Sequence, residues 1–400
     1  MLGETLIRLL EQAEQSEPSV RAAAMLRIAR VVSAEDRAEA LRIFDAGLEA
    51  VSRVEGEASQ WMTAQARLIA AAISPERVAA IPASVDGRVR LHFDAELLVR
   101  VMAEHGHTGA AIAYAMRREE SWEFPFGMAF TLLAPMTAGD PAGAALVRRA
   151  AEAWRKRFAS QEHQLHHADH YFATLFGRHW TRLAHDEALA MVREIVAGAR
   201  QQTPEPMTAT YDPEGSVQIT NVGEEKLFQV WHVLRILDRE LAESLLAEYK
   251  ELAVAVRRFP NGMESVRQEA EVRSNELKSR GGAQGGGFVM AGHPDDFSFL
   301  ESLLKAEKGD DFERPMKYAL ERYWRDALPD RPNGAIKEFW RSTDAVRSVL
   351  YRAGKRMERA ACGVYLNRIP DADLRLFAEI ELEAALAGLP EFKSMVIGAS

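Results

Sequence analysis

Apolar residues recur at helical spacing almost from one end of this chain to the other, and the breaks between the runs are short. Met25, Ile28, Val31 and Val32 stand at i, i+3, i+6 and i+7 on one stretch, and Leu41, Phe44, Leu48 and Val51 form the next. That period puts each set on one stripe of a helix, and a stripe of that kind has to be buried against a neighbour. Between the two runs lies Ser33-Ala34-Glu35-Asp36. Its serine can accept from the first free amides of the following helix, and its acids suit that helix's positive end. The unit is helix, four-residue turn, helix. It returns at Leu241, Leu245, Tyr249, Leu252 and Val256, behind a capping Asp238 and ahead of Pro260-Asn261-Gly262, a helix stop.

The same spacing predicts further helices over about 4–15, 57–73, 88–104, 107–119, 141–158, 161–180, 183–200, 224–237, 263–278, 297–307, 312–327, 335–360 and 373–387. Strand signal is confined to Thr208-Ala209-Thr210 and Val217-Gln218-Ile219-Thr220 around Asp212-Pro213-Glu214-Gly215, which predicts one small β-hairpin near 207–220. The expected fold is all-α, a helical-hairpin repeat array of α-solenoid type. Its expected organisation is an N-terminal helical-repeat region over 1–200, a linker or hairpin over 201–223, and a C-terminal helical region over 224–400. The last contains a loop at 279–297 that holds six of the chain's 26 glycines.

Two stretches are internally similar: Leu26-Arg27-Ile28 followed by Asp36-Arg37-Ala38-Glu39-Ala40, and Leu234-Arg235-Ile236 followed by Asp238-Arg239-Glu240-Leu241-Ala242. In the first of them Ala40, Phe44 and Gly47 resemble the small–aromatic–small positions of a tetratricopeptide-type second helix, over residues 20–52 and again over 226–258. The tryptophan, glycine and tyrosine of that repeat's first helix are absent, and Met25, Arg27 and Ala29 stand in that region. The resemblance implies an α-solenoid whose concave surface binds a protein or peptide and needs no catalytic groups.

Charge narrows the partners. The chain carries 50 basic and 59 acidic residues, and neither half has a positive excess. Binding to a phosphate backbone draws on such an excess, so nucleic acid is not an expected partner. No stretch approaches the roughly 20 apolar residues of a membrane span, no basic tail suits a membrane surface, and MLGETLIRLLEQAEQ does not read as a secretory signal. The expected setting is cytoplasmic. The lone Cys362, in an apolar helical context, excludes a disulfide framework and predicts a buried, inert thiol.

Histidine supplies the one dense chemical signal. Six of the 11 lie between His163 and His185. His163, His166, His167 and His170 fall within one arc of a helix, opposite Leu165, Phe172 and Phe176. His163/His167 and His166/His170 are i, i+4 pairs, the separation at which two imidazoles grip one divalent metal such as zinc, with Glu162 and Asp169 beside them as orienters. Gln164 and His167 stand where a zinc-peptidase helix needs its glutamate. The same residues also suit a polar surface or a groove lining. His105-Gly106-His107 reads as a turn. Gly282–Gly287 has P-loop glycine spacing, but Phe288-Val289 replaces its lysine and hydroxyl. Asp295-Asp296 and Asp310-Asp311 sit where helix caps belong. No nucleophile elbow occurs, and no cofactor is expected. The resulting expectation is a non-enzymatic scaffold binding a protein or peptide. The alternative is a metal-binding protein or metal-dependent enzyme centred on the His163–His170 face.

Overall fold

The structure, a computed structural model, describes residues 3–82, 94–117, 124–159, 166–201, 206–211, 217–279, 296–306, 309–321 and 335–392. Their helices are α1 (Glu4–Gln15), α2 (Pro18–Val32), α3 (Arg37–Ser52), α4 (Glu57–Ile73), α5 (Asp94–Glu104), α6 (Thr108–Arg117), α7 (Phe126–Leu133), α8 (Pro141–Ala159), α9 (His166–His179) and α10 (His185–Gln201). After the hairpin strands β1 (Pro206–Thr210) and β2 (Gln218–Asn221) come α11 (Val222–Leu237), α12 (Arg239–Glu248), α13 (Lys250–Arg258), α14 (Met263–Ser279), α15 (Asp296–Ala306), α16 (Glu313–Ala319), α17 (Ala335–Gly354), α18 (Arg359–Leu366) and α19 (Ala372–Leu386). The fold is all-α with one antiparallel hairpin, in which Ala209 faces Ile219 and Thr210 faces Gln218. Most of the glycine-rich loop expected at 279–297 lies outside the described residues. The chain forms two compact units, one of residues 1–90, 100–110 and 290–400, the other of 91–99 and 111–289.

In the second unit α11 is the central element. Its residues 222–231 are buried without a break, because α9, α10, α12, α13, α14 and the hairpin all pack on it. Asn221 opens the helix by accepting from the Gly223 and Glu224 amides. Along one side runs a ladder of ion pairs. Arg148 meets Glu187 at 2.6 Å and Arg155 meets Glu194 at 2.7 Å, joining α8 to α10. Arg193 meets Asp238 at 2.6 Å and Arg200 meets Glu248 at 2.7 Å, joining α10 to α12. Partner numbers rise together within each pair of rungs, so α8, α10 and α12 all run in the same direction.

One stripe expected to be a single helix is two. Leu241 to Val256 breaks at Tyr249, which has an extended backbone (φ −116°, ψ 104°). There Glu224 of α11 accepts from the Leu252 amide at 2.7 Å, so a buried carboxylate from another helix stands in for the missing cap of α13. The helix expected over 335–360 likewise ends at Gly354 and resumes as α18. A side chain at 354 would come within 2.7 Å of Leu382 and 3.0 Å of Ala385, which is how closely α17 crosses α19.

The first unit is organised around charge inside its core. Arg27 and Arg30 of α2, Asp344 and Arg347 of α17 and Glu381 of α19 are buried, with exposures of 1% or less. Arg30 donates from one nitrogen to both Glu381 oxygens, at 2.9 and 3.0 Å. Arg347 lies 3.1 Å from Asp344 and 3.3 Å from Glu381, and Arg27 donates to Gln65 of α4. After α19 the chain turns back, and a strap over Leu389–Phe392 closes the cluster. Tyr351 donates to the Leu389 carbonyl, Arg30 to that of Pro390 and Arg347 to that of Phe392. The Phe392 ring takes the guanidinium carbons of Arg27, Arg30 and Arg347 at 5.4, 5.1 and 5.9 Å. Three cations with two carboxylates leave Arg27 the least compensated, and burial followed by the Arg347 charge pushes its pKa down to about 10.

Candidate functional site

Of the metal-site candidates, His163 lies outside the described residues. His166, His167 and His170 form the first turn and a half of α9, where the backbone alone is described. Among the described residues no group of three or more histidine, cysteine or acidic side chains is placed to hold a metal ion. His105 and His107 are tied into the turn after α5. The His105 Nδ1 hydrogen goes to the Val101 carbonyl at 2.9 Å, and the His107 Nε2 hydrogen to the Ala72 carbonyl at 2.9 Å. Gly106 supplies the left-handed residue the turn requires (φ +80°). Burial pushes the His105 pKa down to about 4. Cys362 is buried, and burial raises its pKa, as expected for an inert thiol.

The residues that do converge lie at the other end of α9. Gly177 has no side chain because one would meet the Gln229 carbonyl at 2.8 Å, and that close approach lets α9 and α11 touch backbone to backbone. His232 of α11 takes advantage of it, donating from Nε2 to the Gly177 carbonyl at 2.9 Å. Its Nδ1 is then an acceptor, buried and without a donor among the described residues. The next residue, Arg178, is exposed, with its guanidinium carbon 5.2 Å from the Phe130 ring centre. His179 lies tilted over the same ring at 6.3 Å. Beyond it Arg182 donates to the carbonyls of Leu133, Met136 and Thr137, closing the end of α7, while its Nε points at His179 Nδ1 from 3.4 Å. That contact places the His179 proton on Nε2.

Helix α14 packs on α11 as well. Gly262, in left-handed backbone (φ +59°), lets the start of α14 sit on Trp231, within 2.7 Å of where a side chain would begin. One turn and a half later Arg267 is 19% exposed, yet all three of its guanidinium nitrogens are shielded from solvent and find no hydrogen-bond acceptor among the described residues. One of its Nη atoms nonetheless lies 3.1 Å from a Glu264 carboxylate oxygen on the same helix, an ion pair whose angles fall outside hydrogen-bond geometry.

Electrostatics follow the geometry. Burial, then the charges of Arg182, Arg178 and Arg267, push the His179 pKa down to about 4. Burial also lowers His232 against the opposing pull of Glu264, and burial and then Arg178 lower Arg267. His179 is therefore neutral at pH 7. Elsewhere in the unit a small apolar cavity lies between Trp154, Phe172, Ile195 and Lys226. It has room for about one water.

The sequence draws attention to the other end of this helix. Histidine density marks residues 163–170, whereas Arg178 and Arg267 are separated by 89 positions and carry no shared motif. A local signal did exist in Gly177-Arg178-His179, a glycine inside a helical run followed by two basic residues at its end. No protein-family model, curated protein or solved structure matches this chain.

Proposed function

We propose that the chain is a non-enzymatic helical-hairpin repeat scaffold, tetratricopeptide-like in kind, that binds a protein or peptide on the outer stripe of α9. The observation that carries this reading is the direction of the ion-pair ladder in the second unit. Helices one hairpin apart, α8, α10 and α12, run parallel and touch through their surface charges. Repeated addition of similar hairpins produces that arrangement. The exposed stripe of α9 carries Tyr171 at 41% exposure and, two turns on, Arg178. Tyrosine and arginine are the side chains that binding surfaces use most heavily.

Selection of peptides from a random display library against the purified chain tests the reading. Enriched peptides should share a pattern and bind by calorimetry with affinities near micromolar. Tyr171→Ala should weaken them tenfold or more, about 1.4 kcal/mol, with the helical circular dichroism unchanged. A library that yields no shared pattern, or peptides indifferent to Tyr171→Ala, removes it.

A second reading, a metal-binding protein or metal-dependent enzyme, draws on the α-helical backbone over His166–His170. It sets positions 166 and 170 one turn apart on the same face, as two ligands of a zinc-like ion require. Elemental analysis of protein purified without a histidine tag or nickel column decides it. Near-stoichiometric metal that a His166→Ala/His170→Ala variant loses would favour this reading. Metal-free protein in both would end it.

A further inference from the structure

We propose that the groove between α2, α17 and α19 is a peptide-binding site, filled here by the chain's own strap over 389–392, and that a partner segment of the same chemistry, a proline and an acid followed by phenylalanine, exchanges with it. The site goes beyond the scaffold reading, which rests on α9, and does not depend on it.

The strap is held as a ligand is held. It belongs to no helix or strand, and its main-chain carbonyls are taken by side chains of two helices. Tyr351 donates to that of Leu389 at 2.7 Å, Arg30 to that of Pro390 at 2.8 Å, and Arg347 to that of Phe392. Such bonds read a backbone whatever its sequence, and side-chain contacts supply the choice. Glu391 accepts from Ser348 at 2.6 Å and lies 3.8 Å from Arg352. Phe392, 2% exposed, sets its ring against the guanidiniums of Arg27, Arg30 and Arg347. Pro390 has its φ fixed in advance, which lowers the cost of ordering the segment.

Two features let the strap come away. The first is its hinge. Helix α19 is closed by Gly388 in left-handed backbone (φ +77°), with the Gly388 and Leu389 amides bonded back to the Ala385 and Ala384 carbonyls. That turn sends the chain back over the cluster. Nothing lies within 4 Å of where a side chain at 388 would begin, so the hinge has open space in which to swing. The second is the charge beneath. Arg27, Arg30 and Arg347 stand with Asp344 and Glu381 in the buried cluster, and two of the three cations bond the strap directly. Opening returns them to water, and the recovered hydration offsets part of the bonds lost. An apolar core under a plug of the same size would only lose by opening. The surplus of positive charge also favours an incoming segment that carries an acid, as the strap does at Glu391.

The test titrates the full chain into a fluorescein-labelled, end-blocked peptide of the 387–392 sequence and follows anisotropy. The parent, whose own strap competes at high effective concentration, should bind most weakly. Phe392→Ala loosens the strap and should bind the peptide at least about tenfold more tightly. Gly388→Ala strains only the turn and should gain about fivefold. It carries the test alone if circular dichroism shows that Phe392→Ala does not fold. Peptide variants probe recognition without touching the fold. A peptide carrying Phe392→Ala should bind at least about tenfold more weakly, and one carrying Glu391→Ala severalfold more weakly. No binding to a folded variant at millimolar peptide overturns the proposal. Equal affinity of parent and variants does the same, and so does equal binding of the three peptides.

Discussion

Replacing Glu381 with alanine is expected to destabilise the chain by about 3–5 kcal/mol, the cost of breaking a buried ion pair by removing one partner. The carboxylate has no solvent exposure, accepts two bonds from Arg30 and lies 3.3 Å from Arg347. Without it, Arg27, Arg30 and Arg347 are left with Asp344 and, nearer the surface, Glu391 as their acids among the described residues. The comparison is Glu243→Ala, which breaks the exposed Arg239–Glu243 pair and should cost less than about 0.5 kcal/mol. Urea unfolding followed by circular dichroism measures both, as a fall in the midpoint at constant m. The pH dependence has a definite sign. Burial alone would raise the Glu381 carboxyl, but the charges of Arg30, Arg347 and Arg27 outweigh it and hold the group below its ordinary value of 4.5. A carboxyl depressed in the folded state contributes stability that is fully present above the unfolded value, and that contribution is lost as pH falls through the folded one. Stability of the parent chain should therefore decline below about pH 4.5, and Glu381→Ala should decline less steeply there. Equal costs for Glu381→Ala and Glu243→Ala would mean that the cluster is hydrated in solution.

Where local chemistry decides the outcome, the fold is legible in the sequence. The helix expected over 57–73 is α4, and Asp238, read as a cap, accepts from the Leu241 amide. At the first hairpin the turn lies where the sequence puts it, but the cap is Asp36 and not Ser33. Asp36 accepts from Glu39, while Ser33 donates back to the Arg30 carbonyl. The misses share a cause, which is that the deciding partner lies far away in the chain. Nothing between Leu241 and Val256 announces a break, because Glu224 of α11 supplies it. Gly354 reads as an interior helical glycine until α19 is laid across it. Helix α7 shows no amphipathic period because it is apolar nearly all round, so only its lack of charge stands out. On α2, Arg27 and Arg30 look like the polar side of an amphipathic helix, and their burial depends on carboxylates and a strap some 350 residues later. The end of α9 follows the same rule. Periodicity finds the helix, but His232, which bonds the Gly177 carbonyl, stands on α11, 55 residues later.

Gly262→Ala is expected to be the costliest glycine substitution in the second unit, at about 2–4 kcal/mol. Its left-handed backbone (φ +59°) is the first reason, since a side chain there adds roughly 1 kcal/mol. The larger one is space. A Cβ at 262 would stand 2.5 Å from the Phe228 carbonyl and 2.7 Å from the Trp231 Cβ, both on α11, and overpacking of that kind adds about 1–3 kcal/mol. Neither obstacle is the tip of a flexible side chain, so relief has to come from moving α14. Trp231 and Arg235 donate to the Pro260 carbonyl, so the turn is pinned to α11 and cannot drift outward without breaking those bonds. The control is Gly106→Ala, equally left-handed (φ +80°) but with nothing within 4 Å of the added carbon, which should cost only about 1 kcal/mol. If the two variants prove equally stable, the start of α14 yields at little cost and its close approach to Trp231 does not set its position.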